Sequence, residues 1–355
     1  MSDAQRIRHV DAWRFIAVSL VIVAHLISMS NFSFLATTVP GISRLGRFGD
    51  AGVLIFFFIS GFVICRGLME ERAAISRISL KAFYVRRAVR ILPPLWLYLA
   101  TLACMGAAGG IKVSVLQIGQ SALFLSNSVP EVYPWVLAHT WSLSYEEQFY
   151  LIFPILFLVL GFTVRPKILL VMLSFMMLLS IGLRVLGSDW WAGYLSYMIF
   201  MLTGCAAALY WQRLGLMCRS LSVRNWLMAS ILLVLCVGLL PSPMVAYVKT
   251  VLYPPLIGLL VLGTPVSHPR VRAFFHNPLI AYLGKISYTV YLWQQLATAS
   301  WPMLAPWWTV VFILATWLFA HYSYKYFERP LMRVAARWSD AIKQRALAER
   351  GTGFA

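Results

Sequence analysis

Arg14 and His25 stand eleven residues apart in the first apolar run of the chain, DAWRFIAVSLVIVAHLISMS. On an α-helix that spacing comes within about 20° of whole turns and rises about 16 Å, so both side chains fall on one face. A guanidinium is a permanent cation that grips phosphates through paired N–H groups, and an imidazole exchanges protons near neutral pH. The pair would suit binding of a polyanion at one end of a helix and proton transfer further along it. Asp11 precedes Arg14 by three residues, placed to hold the guanidinium as an i,i+3 partner. Each residue also has a plainer reading: Arg14 snorkels to an interface, and His25 hydrogen-bonds a neighbouring helix. The two on one face are harder to dismiss, because an ionisable group in an apolar helix is costly unless something compensates it.

Two further groups carry chemistry. Glu146 and Glu147 lie in HTWSLSYEEQFY (139–150), just after His139, Trp141 and Ser142. Acids at membrane depth need a cation, a water-filled cavity or a raised pKa. Their plainer reading is an interfacial aromatic anchor with carboxylates favoured by a helix N-terminus. Arg86, Arg87 and Arg90 cluster in FYVRRAVRILPP (83–94), ahead of Pro93 and Pro94. They suit a polyanionic cytosolic ligand, and they equally suit ordinary orientation of a membrane protein. Ser60 and Gly61 fall mid-run in FFFISGFVI (56–64), where small residues let helices approach closely.

The elements that hold these groups must lie in lipid. Of 355 residues, 61% are hydrophobic and 12% charged, with a mean hydropathy of +0.77. A soluble globular protein carries about 45–50% and about 25%. Apolar runs occur near 12–30, 51–68, 91–108, 146–164, 168–186, 192–211, 226–241, 246–264, 278–298 and 307–324. They predict an all-α, polytopic membrane helix bundle of about ten transmembrane helices. The first run carries a polar His25 and no convincing cleavage site follows, so it reads as a retained span. Residues 111–126 are short and broken by Gln117 and Gln120, which fits an interfacial or re-entrant piece on the outer side.

Alternating the loops puts about 23 basic residues on one side and 5 on the other, which places both termini in the cytoplasm. The formal charge of +18 is therefore a topology signal, and nucleic acid is not an expected partner. Cys65, Cys104, Cys205, Cys218 and Cys236 are scattered and odd in number, fitting neither a disulfide framework nor a zinc site. No metal is expected. Residues 1–334 form the expected transmembrane domain, and 335–355 a basic amphipathic cytoplasmic tail near anionic lipid.

Together these segments resemble the membrane-bound acyltransferase 3 family of O-acyltransferases. Arg14 and His25 match its R-x10-H motif, and FFFISGF (56–62), RRAVRILP (86–93) and WSLSYEEQFY (141–150) match later signatures in the same order. LGKISYTVYLW (283–293) and YFERP (326–330) resemble its closing signatures. Where family members often carry His after Y-L-W, this chain has Gln294, which weakens an acid/base role there. The resemblance implies the stand-alone form, without the esterase-like domain that some relatives carry.

It also implies transfer of an acyl group, usually acetyl, from cytoplasmic acyl-CoA to a hydroxyl of an extracytoplasmic or lipid-linked glycan. The expected setting is the cell inner (cytoplasmic) membrane. Arg14, Arg86, Arg87 and Arg90 would hold the nucleotide end of the donor. His25 would act as base or as a transiently acylated relay, with Glu146 or Glu147 orienting it. Asp11, Ser60, Trp141, Ser142, Tyr150 and Tyr288 would support the site. Lipopolysaccharide O-antigen, exopolysaccharide, a Nod-factor-like oligosaccharide and periplasmic glucans are all conceivable acceptors. A transporter of a glycan or anion is the alternative, but it would show paired halves or matching broken helices, and none are visible.

Overall fold

The computed structural model describes residues 3–29, 38–39, 42–128, 133–214, 223–240, 242–264, 267–301 and 305–351. Cys218, Arg219 and the side chains of Arg6, Arg345 and Arg350 lie outside this description. The described residues are predominantly helical, with no strand among them. They fall into two compact units. The first comprises Met1–Glu70, Gln148–Ser287 and Ser300–Pro306, the second Glu71–Glu147, Tyr288–Ala299 and Trp307–Ala355.

The first unit contains α1 (Asp3–Met29) and most of α2 (Arg47–Ile75). It also holds the later part of a helix over Thr140–Val159, numbered α6 below, then α7 (Lys167–Val185) and α8 (Asp189–Leu209). Next come α9 (Val223–Leu239), α10 (Ser242–Val251), α11 (Tyr253–Gly263), α12 (Pro269–His276) and α13 (Pro278–Lys285). No proline or glycine interrupts α1, and its 27 residues give a rod of about 40 Å, ample for the hydrocarbon layer. α2 and α8 cross with their backbones in contact. A Cβ on Gly61 would overlap the Met201 carbonyl, and one on Gly204 would overlap that of Phe58. Gly61 thus does the packing work expected of a small residue at mid-span.

The second unit contains α3 (Leu80–Ala107), α4 (Val115–Ala122), α5 (Trp135–Ala138) and the first turns of α6 (Thr140–Val159). α14 (Ser287–Ala297), α15 (Trp307–Ser323), a π-helical segment over Tyr324–Glu328 and α16 (Arg329–Gly351) complete it. Ser76, with φ of 55°, ends α2, and the Ser79 side chain then accepts from the Ala82 N–H to start α3. Pro93 and Pro94 lie inside α3, not at its start, because the helix begins eleven residues before the apolar run does. α16 packs along α3, with Ala335 and Ser339 buried, so the expected boundary at 334/335 falls within a continuous docked helix.

Among the described residues, five helices are long and apolar enough to cross a membrane: Arg8–Ser28, Arg44–Ile75, Leu80–Ala107, Lys167–Val185 and Asp189–Leu209. A sixth is available if Met244–Val251 and Tyr253–Gly263, bent by 48°, form one broken span. Shorter helices, α9 and α15 among them, occupy other apolar runs, and α6 is long enough but opens with polar turns. Over 278–298, where a single span is expected, the helix is interrupted at Ile286 between α13 and α14. α4, opened by the Ser114–Gln117 capping box, is eight residues long and about 12 Å, too short to cross.

Candidate active site

In the first unit, Arg14 donates from Nη1 to Asp11 Oδ1 at 3.0 Å, and both side chains are largely shielded. Two contacts fix the rotation of α1 here. The Trp13 indole donates to Thr264 Oγ1 at 2.8 Å and packs on Phe275, with ring centroids 4.9 Å apart. On the adjoining face, the backbone of α13 closes on α1 so tightly that a Cβ on Gly284 would overlap the Asp11 carbonyl. Gly284 is the glycine of LGKISY, so this close approach gives that residue a physical reason. His25 lies three turns beyond Arg14 on the same unbroken helix and is half-buried, as is Ser60 on α2. Tyr150, on α6, is buried.

The arginine cluster of the second unit is not uniform. Arg86 donates from Nη2 to Glu71 Oε2 at 2.9 Å and hydrogen-bonds Ser339 Oγ. Lys343 reaches the same Glu71 oxygen at 2.9 Å, and the Ser79 N–H donates to the other at 2.9 Å. The Glu71 carboxylate is 5% exposed, and a carboxylate so buried persists as an ion only with this kind of full coordination. Arg86 is therefore occupied in joining α2, α3 and α16. Arg87 lies over the Phe83 ring at 5.8 Å, and Arg87 and Arg90 are half-buried one turn apart.

Glu146 and Glu147 sit in the second turn of α6 and are half-buried, because the helix begins at Thr140, earlier than the apolar run. They belong to the second unit, whereas His25 belongs to the first. Beneath them is a polar layer. The Ser142 and Tyr291 hydroxyls are 2.6 Å apart, and Ser142 also donates to the His139 carbonyl at 2.9 Å. The buried His139 ring meets Tyr98 and Tyr291 edge-on, each at 5.5 Å. Trp141 meets Tyr145 edge-on at 5.8 Å. Tyr288 donates to the Ile91 carbonyl at 3.0 Å, within the stretch of α3 that Pro93 and Pro94 loosen. Gln294 is fully buried and donates to Gln295 Oε1 at 3.0 Å, while Gln295 donates to the Trp135 carbonyl at 2.8 Å.

Residues 7–332 match the acyltransferase domain of the acyltransferase 3 family. The chain belongs to that family. It is 27% identical over 363 residues to the peptidoglycan O-acetyltransferase OatA of Listeria monocytogenes, covering 91% of this chain and 55% of that protein. A putative O-acetyltransferase of Staphylococcus aureus is 26% identical over 358 residues, covering 91% and 57%. The putative peptidoglycan O-acetyltransferase YrhL of Bacillus subtilis is 27% identical over 362 residues, covering 90% and 54%. The chain thus spans a little over half the length of these relatives. No solved structure matches it significantly. Membership of the acyltransferase 3 family, with several long apolar helices, makes this a multi-pass membrane protein.

Within this family member, two acids escaped the sequence reading. Glu71 follows Glu70 directly in an arginine-rich stretch, and its burial against Arg86 and Lys343 is set by helix packing that spacing alone does not reveal. Glu328, in the YFERP segment, is turned inward by the π-helical segment and accepts from Thr289 at 2.7 Å and Ser323 at 2.9 Å. A π-segment often marks a site under functional constraint, and it cannot be read from hydropathy.

Proposed function

We propose that the protein is a membrane O-acetyltransferase moving acetyl from cytoplasmic acetyl-CoA to a hydroxyl of an extracytoplasmic glycan. The observation that carries this reading is the family match over residues 7–332, which includes the helix bearing the Asp11–Arg14 pair and His25. The names of the relatives point to a peptidoglycan-like polysaccharide as the acceptor class. The basic bias supports cytoplasmic termini, and the donor would then be met from that side of an inner membrane.

In this reading Arg14 of the first unit meets the phosphates of the donor, and within the second unit Arg86 is held in place through Glu71. The pantetheine arm reaches along the helix toward His25. The neutral imidazole takes the proton of the sugar hydroxyl as its oxygen attacks the thioester carbonyl. The tetrahedral intermediate collapses, the C–S bond breaks, and the CoA thiolate leaves and is protonated. In a second version His25 attacks first, and the acyl-imidazole passes acetyl to the sugar. Mass spectrometry of surface glycans from cells with and without the gene tests the proposal. It expects loss of an alkali-labile acetyl increment from one glycan; unchanged glycans would refute it.

A further inference from the structure

The first unit carries a second basic concavity that none of this chemistry uses. Residues at the end of α2, the turn before α7 and the end of α8 enclose a groove of about 1000 Å³. Arg66, Glu70, Arg165, Lys167, Trp211 and Arg213 line it. Four cations face one carboxylate. That carboxylate is already answered, since Arg66 Nε donates to Glu70 Oε1 at 2.6 Å, and the same guanidinium lies over the Trp211 ring at 5.9 Å. Arg165, Lys167 and Arg213 are exposed, and their side chains form no ion pair among the described residues. Charges that merely orient a protein can sit anywhere along a loop. Here they converge on one hollow, which focuses the field on whatever enters it.

The lip of the groove shows what sort of anion fits. α7 begins at the groove with Pro166 in the cap position, which offers no side-chain acceptor, so the positive end of the helix adds to the field. From there Val164, Val171, Phe175 and Leu178 follow one another down one stripe, and each is 63% exposed or more. A phosphate in the groove would leave this stripe free for hydrocarbon chains. We infer that the groove holds the phosphate headgroup of an anionic phospholipid, with its acyl chains lying along α7. The shared chemistry is a phosphate-bearing anion, and a soluble nucleotide is the competing source of it.

The test uses the full chain, delipidated in detergent and titrated with phosphatidylglycerol or phosphatidylcholine under native mass spectrometry. A parallel calorimetric arm uses adenosine 3′,5′-bisphosphate. The triple variant Arg165→Gln, Lys167→Gln, Arg213→Gln removes only exposed side chains, and the three single variants serve if it does not accumulate. Each basic residue near an anionic headgroup is worth about fivefold in binding. The wild type should therefore prefer phosphatidylglycerol by about tenfold or more, with stepwise loss in the singles and a preference in the triple reduced to what the remaining basic residues supply. The exchange Arg165→Lys, Lys167→Arg, Arg213→Lys should keep most of the preference. Equal retention of the two lipids, or a preference that the triple variant leaves undiminished, overturns the inference. Bisphosphate binding that the triple variant abolishes, with lipid selectivity untouched, assigns the groove to a soluble ligand and overturns it too.

Discussion

Arg14 is tied to Asp11 across one helical turn, Nη1 to Oδ1 at 3.0 Å, and the carbonyl of that same Asp11 is the surface on which Gly284 closes. One residue thus orients the guanidinium with its side chain and seats the helix with its backbone. In the proposed reaction that guanidinium binds the donor and takes no part in proton transfer. Asp11→Asn keeps the shape and removes the charge. It should raise the KM for acetyl-CoA by roughly tenfold, the usual worth of a charge-assisted hydrogen bond, and leave kcat within about threefold. Initial rates in membranes decide it: a fall in kcat at unchanged KM would place Arg14 at the reacting carbonyl instead.

Gly284→Ala tests the seating. The added methyl has only backbone to displace, so it should cost about 1–3 kcal/mol or more, as overpacking does. Thermal unfolding in detergent should show it, and Ala at the exposed Gly67, where a Cβ meets nothing nearby, should be nearly silent.

Glu71 joins three segments, so removing its charge should do more than removing either cation. Glu71→Gln leaves Arg86 and Lys343 facing each other without a carboxylate and should cost about 1–3 kcal/mol. Lys343→Met, which leaves the Arg86 pair intact, should cost less than half as much. Limited proteolysis of α16 reads both, with cleavage faster in Glu71→Gln.

How much of this was legible in the sequence depends on how local each relation is. The Asp11–Arg14 pair was readable because i,i+3 spacing fixes it. The tether on Arg86 was not, because its partner Glu71 lies fifteen residues upstream on another helix and Ser339 lies far downstream. Hydropathy located the apolar core of α3 and α6 but not their starts, since polar turns at 80–90 and 140–145 join the helix without joining the apolar run. It also drew one span across Ile286, where the helix is interrupted. The tail looked solvated because α16 is rich in charge, yet Ala335 and Ser339 anchor one face of it to α3.

The Ser142–Tyr291 contact lends itself to a double-mutant cycle. Ser142→Ala and Tyr291→Phe each remove one hydroxyl of a buried pair 2.6 Å apart, and in Tyr291→Phe Ser142 keeps its bond to the His139 carbonyl. Each should cost about 1–2 kcal/mol, and the double variant should recover about 0.5–1.5 kcal/mol of the sum. Strictly additive losses would mean that the hydroxyls do not depend on each other.

The central claim is that His25 moves the proton, or the acyl group itself, on which glycan acetylation depends. Its most direct test is ester formation on an added glycan acceptor by membranes carrying wild type or His25→Ala at matched levels, with labelled acetyl-CoA. Loss of a general base costs about 10²–10⁴-fold, so His25→Ala should fall to background while keeping its thermal stability. Wild-type acetylation by that variant would contradict the account.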